Sequence, residues 1–205
     1  MEQIKFLLDE ENEKILSKLD NTIGLSNNKD VIREIIRYHE VMEKYKCNIK
    51  SENYNIVIRN ESAYNLYEDL ISVISEIYYK NKITVEPHVL YITRDELRLN
   101  KLKKEEYKTI KEGIIVFDLT NLRRDVSEVR KTIEELIEHS PDKSFIILED
   151  EFREGETNAL FTEYFSWAMK INTISTMEKE KYVKNFMKEN ELKCGTELIK
   201  EIADN

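Results

Sequence analysis

A doubly wound α/β domain with a mainly parallel sheet is the fold class this sequence predicts. Four short apolar runs rich in β-branched residues suit strands buried on both faces: Ile56-Val57-Ile58, Val89-Leu90-Tyr91-Ile92, Ile114-Ile115-Val116-Phe117 and Phe145-Ile146-Ile147-Leu148. A weaker fifth run follows at Trp167-Ala168-Met169-Lys170-Ile171. Between the runs lie segments with helical spacing, about residues 63–80, 94–111, 124–139 and 156–165. The 205 residues, 40% of them hydrophobic, can bury one main core, and four Gly and two Pro leave no flexible linker to divide the chain.

Two helices precede the first strand. Ile4, Leu7, Leu8, Ile15 and Leu19 mark an apolar stripe over residues 2–18, and "DNTIGLSNNKD" follows as a turn. Val31, Ile32, Ile35, Ile36, Val41 and Met42 then recur at near-helical spacing from Lys29 to Tyr45. After the fifth strand come two helical stretches, residues 177–190 and 196–203. The apolar runs are too short to cross a bilayer, and the start "MEQIKFLLDEENEK" is acidic rather than signal-like, so a cytoplasmic protein without a membrane partner is expected. Cys47 and Cys194 show no CxxC spacing and there are only three histidines, which predicts reduced, structural cysteines and no zinc site. A net charge of -9 argues against a nucleic-acid partner, because such binders use excess Lys/Arg to displace counterions. The cluster "RLNKLKKEEYK" is interrupted by acids and reads as a solvated helix face.

In such a sheet, ligands bind beyond the carboxyl ends of the strands, which singles out three loops. The first follows the first strand in "NYNIVIRNESAYNLYEDL". Laid on the phosphate-loop pattern G-x-x-x-x-G-K-[ST], the glycines become Arg59 and Tyr64, the lysine Asn65 and the hydroxyl residue Leu66. Asn60 and Glu61 lie between them, and Glu61 would repel a triphosphate. The plainer reading is a strand-turn-helix with Ser62 as N-cap. The second loop closes "GIIVFDLTNL" on Asp118, placed like a Mg²⁺-holding acid, although Leu119 stands where a water-orienting Glu would be, and a lone Asp is also a common turn former. The third is "FIILEDEFREGE", where Glu149, Asp150 and Glu151 form either an acidic surface loop entering a helix or, with Glu61 and Asp118, a carboxylate site for Mg²⁺ or Mn²⁺.

The order of these parts resembles the AAA+ ATPases of the stage V sporulation protein K branch. The resemblance runs from about Leu19 to Val183. It begins with "LDNTIGLSNNKDVIREIIRYHEVMEKYKCNIKSENYNIVIRN" and passes through "ITRDEL" and "GIIVFDLTNL". It ends at "NALFTEYFSWAMKINTISTMEKEKYV", which is similar to the family's passage into its helical lid. The resemblance implies a P-loop NTPase-like three-layer domain with a mainly parallel five-stranded sheet. Residues 1–50 would lead into the core, 51–172 form it, and 173–205 make a truncated lid.

By that resemblance Asp118 matches the Mg²⁺-holding acid and Leu119 replaces the catalytic Glu. Glu149 and Asp150 lie near the polar sensor, Tyr164 falls close to the arginine finger, and Phe165 matches the aromatic after it. The segment from Arg98 to Glu112 has no aromatic-glycine pair to grip a polypeptide.

A family member that has ceased to be a motor is the leading expectation. It would be a structural or regulatory interaction module with no catalytic residues and no cofactor, partnered by copies of itself or by an active AAA+ subunit. Two alternatives remain open: a divalent-metal phosphoryl-transfer or nuclease-like enzyme built on the five carboxylates, and residual nucleotide binding near Ile23-Gly24-Leu25.

Overall fold

The computed structural model describes residues 9–20, 22–48, 51–62, 65–98, 111–120, 127–150, 164–193 and 195–204. Five parallel strands form one sheet: β1 (Ile56–Asn60), β2 (Val89–Thr93), β3 (Ile114–Asp118), β4 (Ser144–Asp150) and β5 (Trp167–Ile171). Their spatial order is β2-β3-β4-β1-β5. The three inner strands carry the continuous apolar runs because helices cover both of their faces. The edge strand β5 alternates, burying Met169 and Ile171 while Ala168 and Lys170 stay exposed, which explains why its run was the weakest in the sequence.

Helices α1 (Glu10–Leu16), α2 (Asn28–Lys44) and α3 (Tyr67–Lys80) pack on one face of the sheet. Leu16, Ile32, Ile35, Ile36, Leu70, Ile74 and Ile77 meet Ile56, Ile58, Val116, Ile146 and Leu148 there. Helices α4 (Arg94–Arg98) and α5 (Ser127–His139) cover the other face, where Leu97, Val129, Ile133 and Leu136 meet Val57, Ile115, Phe117, Phe145 and Ile147. This is the three-layer arrangement. The chain ends in a helical hairpin of α6 (Thr176–Glu189) and α7 (Thr196–Asp204).

The expected first helix is shorter within the described residues. Asp9 caps α1 through a bond from the Asn12 N–H at 2.7 Å, and a 3₁₀ turn over Ser17–Asp20 follows. Paired amides of Asn12 and Asn81, at 3.0 and 3.2 Å, hold α1 to the end of α3, and Lys80 reaches Asp9 at 2.5 Å. Among the described residues, α1 buries Leu16 and α2 buries Ile32, Ile35 and Ile36 in their own domain, while Val41 stays exposed. Cys47 is free and exposed past the end of α2 rather than structural. Most of the predicted helices over 94–111 and 156–165, together with Cys194, lies outside the described residues. Among the described residues no helix is long and apolar enough to cross a membrane.

The amino ends of the strands are tied by a polar and aromatic network. Buried Asn55 accepts from the Phe145 N–H at 2.7 Å and donates to the Tyr164 carbonyl at 2.8 Å, joining three segments. The Trp167 indole donates to the Asn53 carbonyl at 2.8 Å, and the Asn53 amide donates to the Tyr38 hydroxyl at 2.7 Å. The Tyr54 hydroxyl sits 2.7 Å from His39 Nδ1, and the Tyr78 hydroxyl donates to the Tyr54 carbonyl at 2.8 Å. Burial pushes the phenols of Tyr54 and Tyr78 well above the usual tyrosine range.

Candidate functional site

Topology locates the site before any side chain does. The connection leaving β1 runs toward β2, whereas the one leaving β4 crosses β1 to β5, so the direction of winding reverses between β4 and β1. The crevice beyond the carboxyl ends of those two strands is where such sheets hold ligands. The register places Arg59 beside Glu149 and Asn60 beside Asp150 at that point. Side chains alternate, so Arg59 and Glu149 point to the α4–α5 face while Asn60 and Asp150 share the other.

Arg59 Nη2 lies 2.5 Å from Glu149 Oε1. Glu149 is fully buried, and its Oε2 has no hydrogen-bond partner. This corrects the expectation that Glu149 belongs to an acidic surface loop. Strand β4 runs two residues past its apolar run, and its parallel neighbour β1 extends equally far, so the carboxylate is carried under the sheet and meets a cross-strand arginine. Alternation along β4 turns Glu149 to the face opposite Asp150. Asp118 Oδ1 accepts from the Thr120 N–H at 3.0 Å and from its hydroxyl at 2.5 Å, closing a turn. Glu61 pairs with Lys170 at 2.5 Å, and its N–H donates to the Ile171 carbonyl at 2.8 Å. Among the described residues no group of three His, Cys, Asp or Glu is gathered to hold a metal ion. Tyr64 and Glu151 lie outside the described residues.

The loop after β1 also differs from the simple expectation. Ser62 does not cap the helix; its N–H donates to Asn60 Oδ1 at 3.0 Å, a turn that ends the strand. Helix α3 starts four residues later than predicted, with Leu66 as N-cap and no side-chain cap bond. Its first turn carries Glu68 and Asp69, whose charges complement the helix dipole from within the chain, and Asn65 Nδ2 approaches Glu68 at 3.5 Å. These two acids are site residues that the sequence reasoning missed, although they stand in plain view directly after the loop. Tyr67 and Tyr91 lie close by. Burial raises both phenols, with Asp118 adding to the effect at Tyr67 and Glu68 at Tyr91, which is pushed up to about 12.

Leu66 stands where a phosphate loop would place its hydroxyl, and it packs toward the lead-in turn. Gly24 holds φ +83° there, and a Cβ built on it would lie 3.3 Å from Ile174 Cγ1 and 3.6 Å from Leu66 Cδ1. Leu119, after Asp118, is buried in the core beneath α4 and α5, with its N–H on the Leu148 carbonyl at 3.0 Å. Tyr164 and Phe165 sit at the opposite, amino end of the sheet: the Tyr164 carbonyl accepts from Asn55, and Phe165 is buried in the core. A separate open cleft of about 280 Å³ lies between the lead-in turn and α6, lined by Asp20, Thr22, Ile23 and Gly24 on one side and Glu178, Lys181, Tyr182 and Asn185 on the other. Leu25, the third residue expected to contact a base, is buried in the core instead.

No protein-family model matches the sequence, and no curated protein matches it. Solved structures do. The chain is similar to a replication initiator DnaA bound to AMPPCP and single-stranded DNA, with TM-score 0.58 at 15% identity over 91% of this chain and 59% of that one. It is similar to the Thermotoga maritima RuvB Holliday junction branch migration motor, with TM-score 0.55 at 12% identity over 92% of this chain and 59% of that one. C. elegans PCH-2 gives 0.54 at 10% identity, covering 86% of this chain and 51% of its own. The chain therefore spans between half and three-fifths of the length of these proteins, all of them AAA+ ATPases. At such low identity the likeness concerns architecture, and the chain has the AAA+ P-loop NTPase fold.

Proposed function

We propose that this chain is a catalytically inactive AAA+-like domain, related to the stage V sporulation protein K branch, that acts in the cytoplasm as a structural or regulatory protein-interaction module. The observation that carries the reading is the Arg59–Glu149 pair at the switch point, where a buried salt bridge stands at the ligand-binding end of the sheet. Two further features support it. Glu68 and Asp69 meet the positive end of α3, where a phosphate would otherwise be favoured. Leu66 and Leu119 place aliphatic groups where Mg²⁺-binding and water-orienting chemistry would be needed.

A thermal-unfolding series with ATP, ADP, Mg²⁺ and Mn²⁺, run beside a phosphate-release assay, tests this. A ligand at one hundred times its Kd adds about 2.7 kcal/mol of apparent stability, so binding would be plain. The expected outcome is no shift and no phosphate release. A shift with Mn²⁺ alone that disappears in Asp118→Ala would instead favour the carboxylate metal site, and Mn²⁺-dependent phosphate release the enzyme built on it.

The cleft beside Ile23 and Gly24 favours one second reading, nucleotide binding without hydrolysis. Its wall offers Lys181 to an anion, against Asp20 and Glu178. A shift with ADP that is lost in Lys181→Glu would establish nucleotide binding at this cleft, whereas phosphate release from ATP would remove the inactive reading.

A further inference from the structure

The C-terminal hairpin carries more exposed apolar surface than its size explains. Helix α7 buries Ile199 and Ala203 as it packs on α6, yet the adjoining stripe of Leu198 and Ile202 is 50% and 46% exposed. Leu192, in the connection between the helices, is also half exposed. An amphipathic helix normally turns its apolar stripe inward. Here the stripe is wider than the α6 surface that covers it, and neither core cluster reaches it.

Charge says what fits there. Residues 173–205 hold six lysines and seven acids and are nearly neutral, leaving 26 of the 32 basic and 34 of the 41 acidic residues on the rest of the chain. Two such acidic bodies repel each other, so copies associate most easily end to end through the neutral hairpin. The hairpin is also self-complementary. Lys184 and Lys188 form a lysine line on α6 at i and i+4, Lys184 also lying 3.3 Å from Glu180, while Glu197 and Glu201 flank the α7 stripe at i and i+4.

We infer that the hairpin is a homodimerisation surface whose occupant is the same hairpin of a second copy. In this arrangement α7 lies antiparallel on its two-fold mate, the Leu198 and Ile202 stripes cover each other, and Glu197 and Glu201 face the lysine line of the partner's α6. A contact between identical patches closes at two subunits, whereas a hairpin docked on a different surface of its neighbour builds rings or filaments. The inference rests on the interaction-module reading above and specifies its partner. Helix α7 is only about 14 Å long, so the interface falls at the small end for specific pairs, below about 1,200 Å², and a Kd in the micromolar range is expected.

The test is the solution mass of the full chain by sedimentation or light scattering at about 100 μM, well above that Kd. Twice the 24.5 kDa chain mass is expected. Leu198→Glu with Ile202→Glu should weaken the dimer at least tenfold while leaving the melting temperature unchanged when it is measured well below that Kd, where both chains are monomers, since both residues are about half exposed. Two charge variants sharpen the test: Glu197→Lys with Glu201→Lys makes one hairpin basic, and Lys184→Glu with Lys188→Glu makes another acidic. Each alone should be monomeric, and the equal mixture should dimerise. A monomeric wild type, an assembly larger than a dimer, or a dimer indifferent to the stripe changes overturns the inference. A monomer silent toward nucleotides defeats only this pairing, whereas a dimer that releases phosphate from ATP defeats only the inactive reading.

Discussion

The two ends of the sheet are secured in opposite ways. At the amino end, Asn55, Asn53, Trp167, Tyr38 and Tyr54 share neutral hydrogen bonds of 2.7 to 2.8 Å that join strands, the loop before β5 and α2. At the carboxyl end, one charged pair spans β1 and β4 and leaves a buried carboxylate oxygen without a partner. A neutral network of this kind fixes geometry because each bond costs little to bury and much to leave unmade. A buried ion pair is different: its attraction is largely offset by desolvation, so it adds little net stability while making each partner indispensable to the other.

Breaking the carboxyl-end pair should therefore have the largest effect. Arg59→Ala strands the Glu149 charge inside the protein, and chemical denaturation should show a loss of about 3–5 kcal/mol. Replacing both partners together, Arg59→Met with Glu149→Leu, should return stability to within about 1 kcal/mol of wild type, because packed apolar groups serve as well as a buried pair. The amino end should show no such rescue. Asn55→Ala removes the acceptor of the Phe145 N–H and a donor to the Tyr164 carbonyl and should cost about 2–3 kcal/mol in the same assay.

Next in size is Gly113→Ala, at the start of β3. A Cβ there would run into the Glu86 backbone carbonyl, and a loss of about 1–3 kcal/mol is expected. The smallest effect belongs to the hairpin. Ser175 accepts from the Glu178 N–H while Glu178 caps the Ser175 backbone, and Ser175→Ala should cost α6 about 1 kcal/mol, seen as faster amide exchange in its first turn. The Ser175 backbone bond, then its hydroxyl, hold the Glu178 carboxyl below its usual 4.5. A depressed carboxyl stabilises the folded state above that value, so the first-turn protection should fall as pH drops below about 4.5.

The strands were legible because helices on both faces demand unbroken apolar runs, and Val116, Ile146 and Ile147 say so without help. Their polar ends were not. Arg59, Asn60, Glu149 and Asp150 look like loop residues until cross-strand register pairs them, and register is a property of two segments that no single stretch reveals. Ser62 was misread for a related reason. A serine before an apolar run satisfies the capping pattern, but the Asn60 side chain two residues earlier competes for its N–H and delays the helix. The all-parallel sheet follows from alternating strands and helices, whereas the reversal point that defines the site depends on strand order. The hairpin stripe of Leu198 and Ile202 was read only as helical spacing, since a sequence shows which residues are apolar and not which face lacks a cover.

Leu66 has a consequence for how this molecule keeps its shape. In nucleotide-driven proteins a bound phosphate holds mobile parts in place, and its hydrolysis releases them. Here the half-buried Leu66 side chain, packed against the core, together with Ile174 at the entry to the hairpin, closes over the Gly24 turn. The join is built from the chain's own residues, like a hinge with its pin cast in place. On the inactive reading proposed above, its angle would be set when the protein folds, and a partner would meet the same face whether the cell is fed or starved.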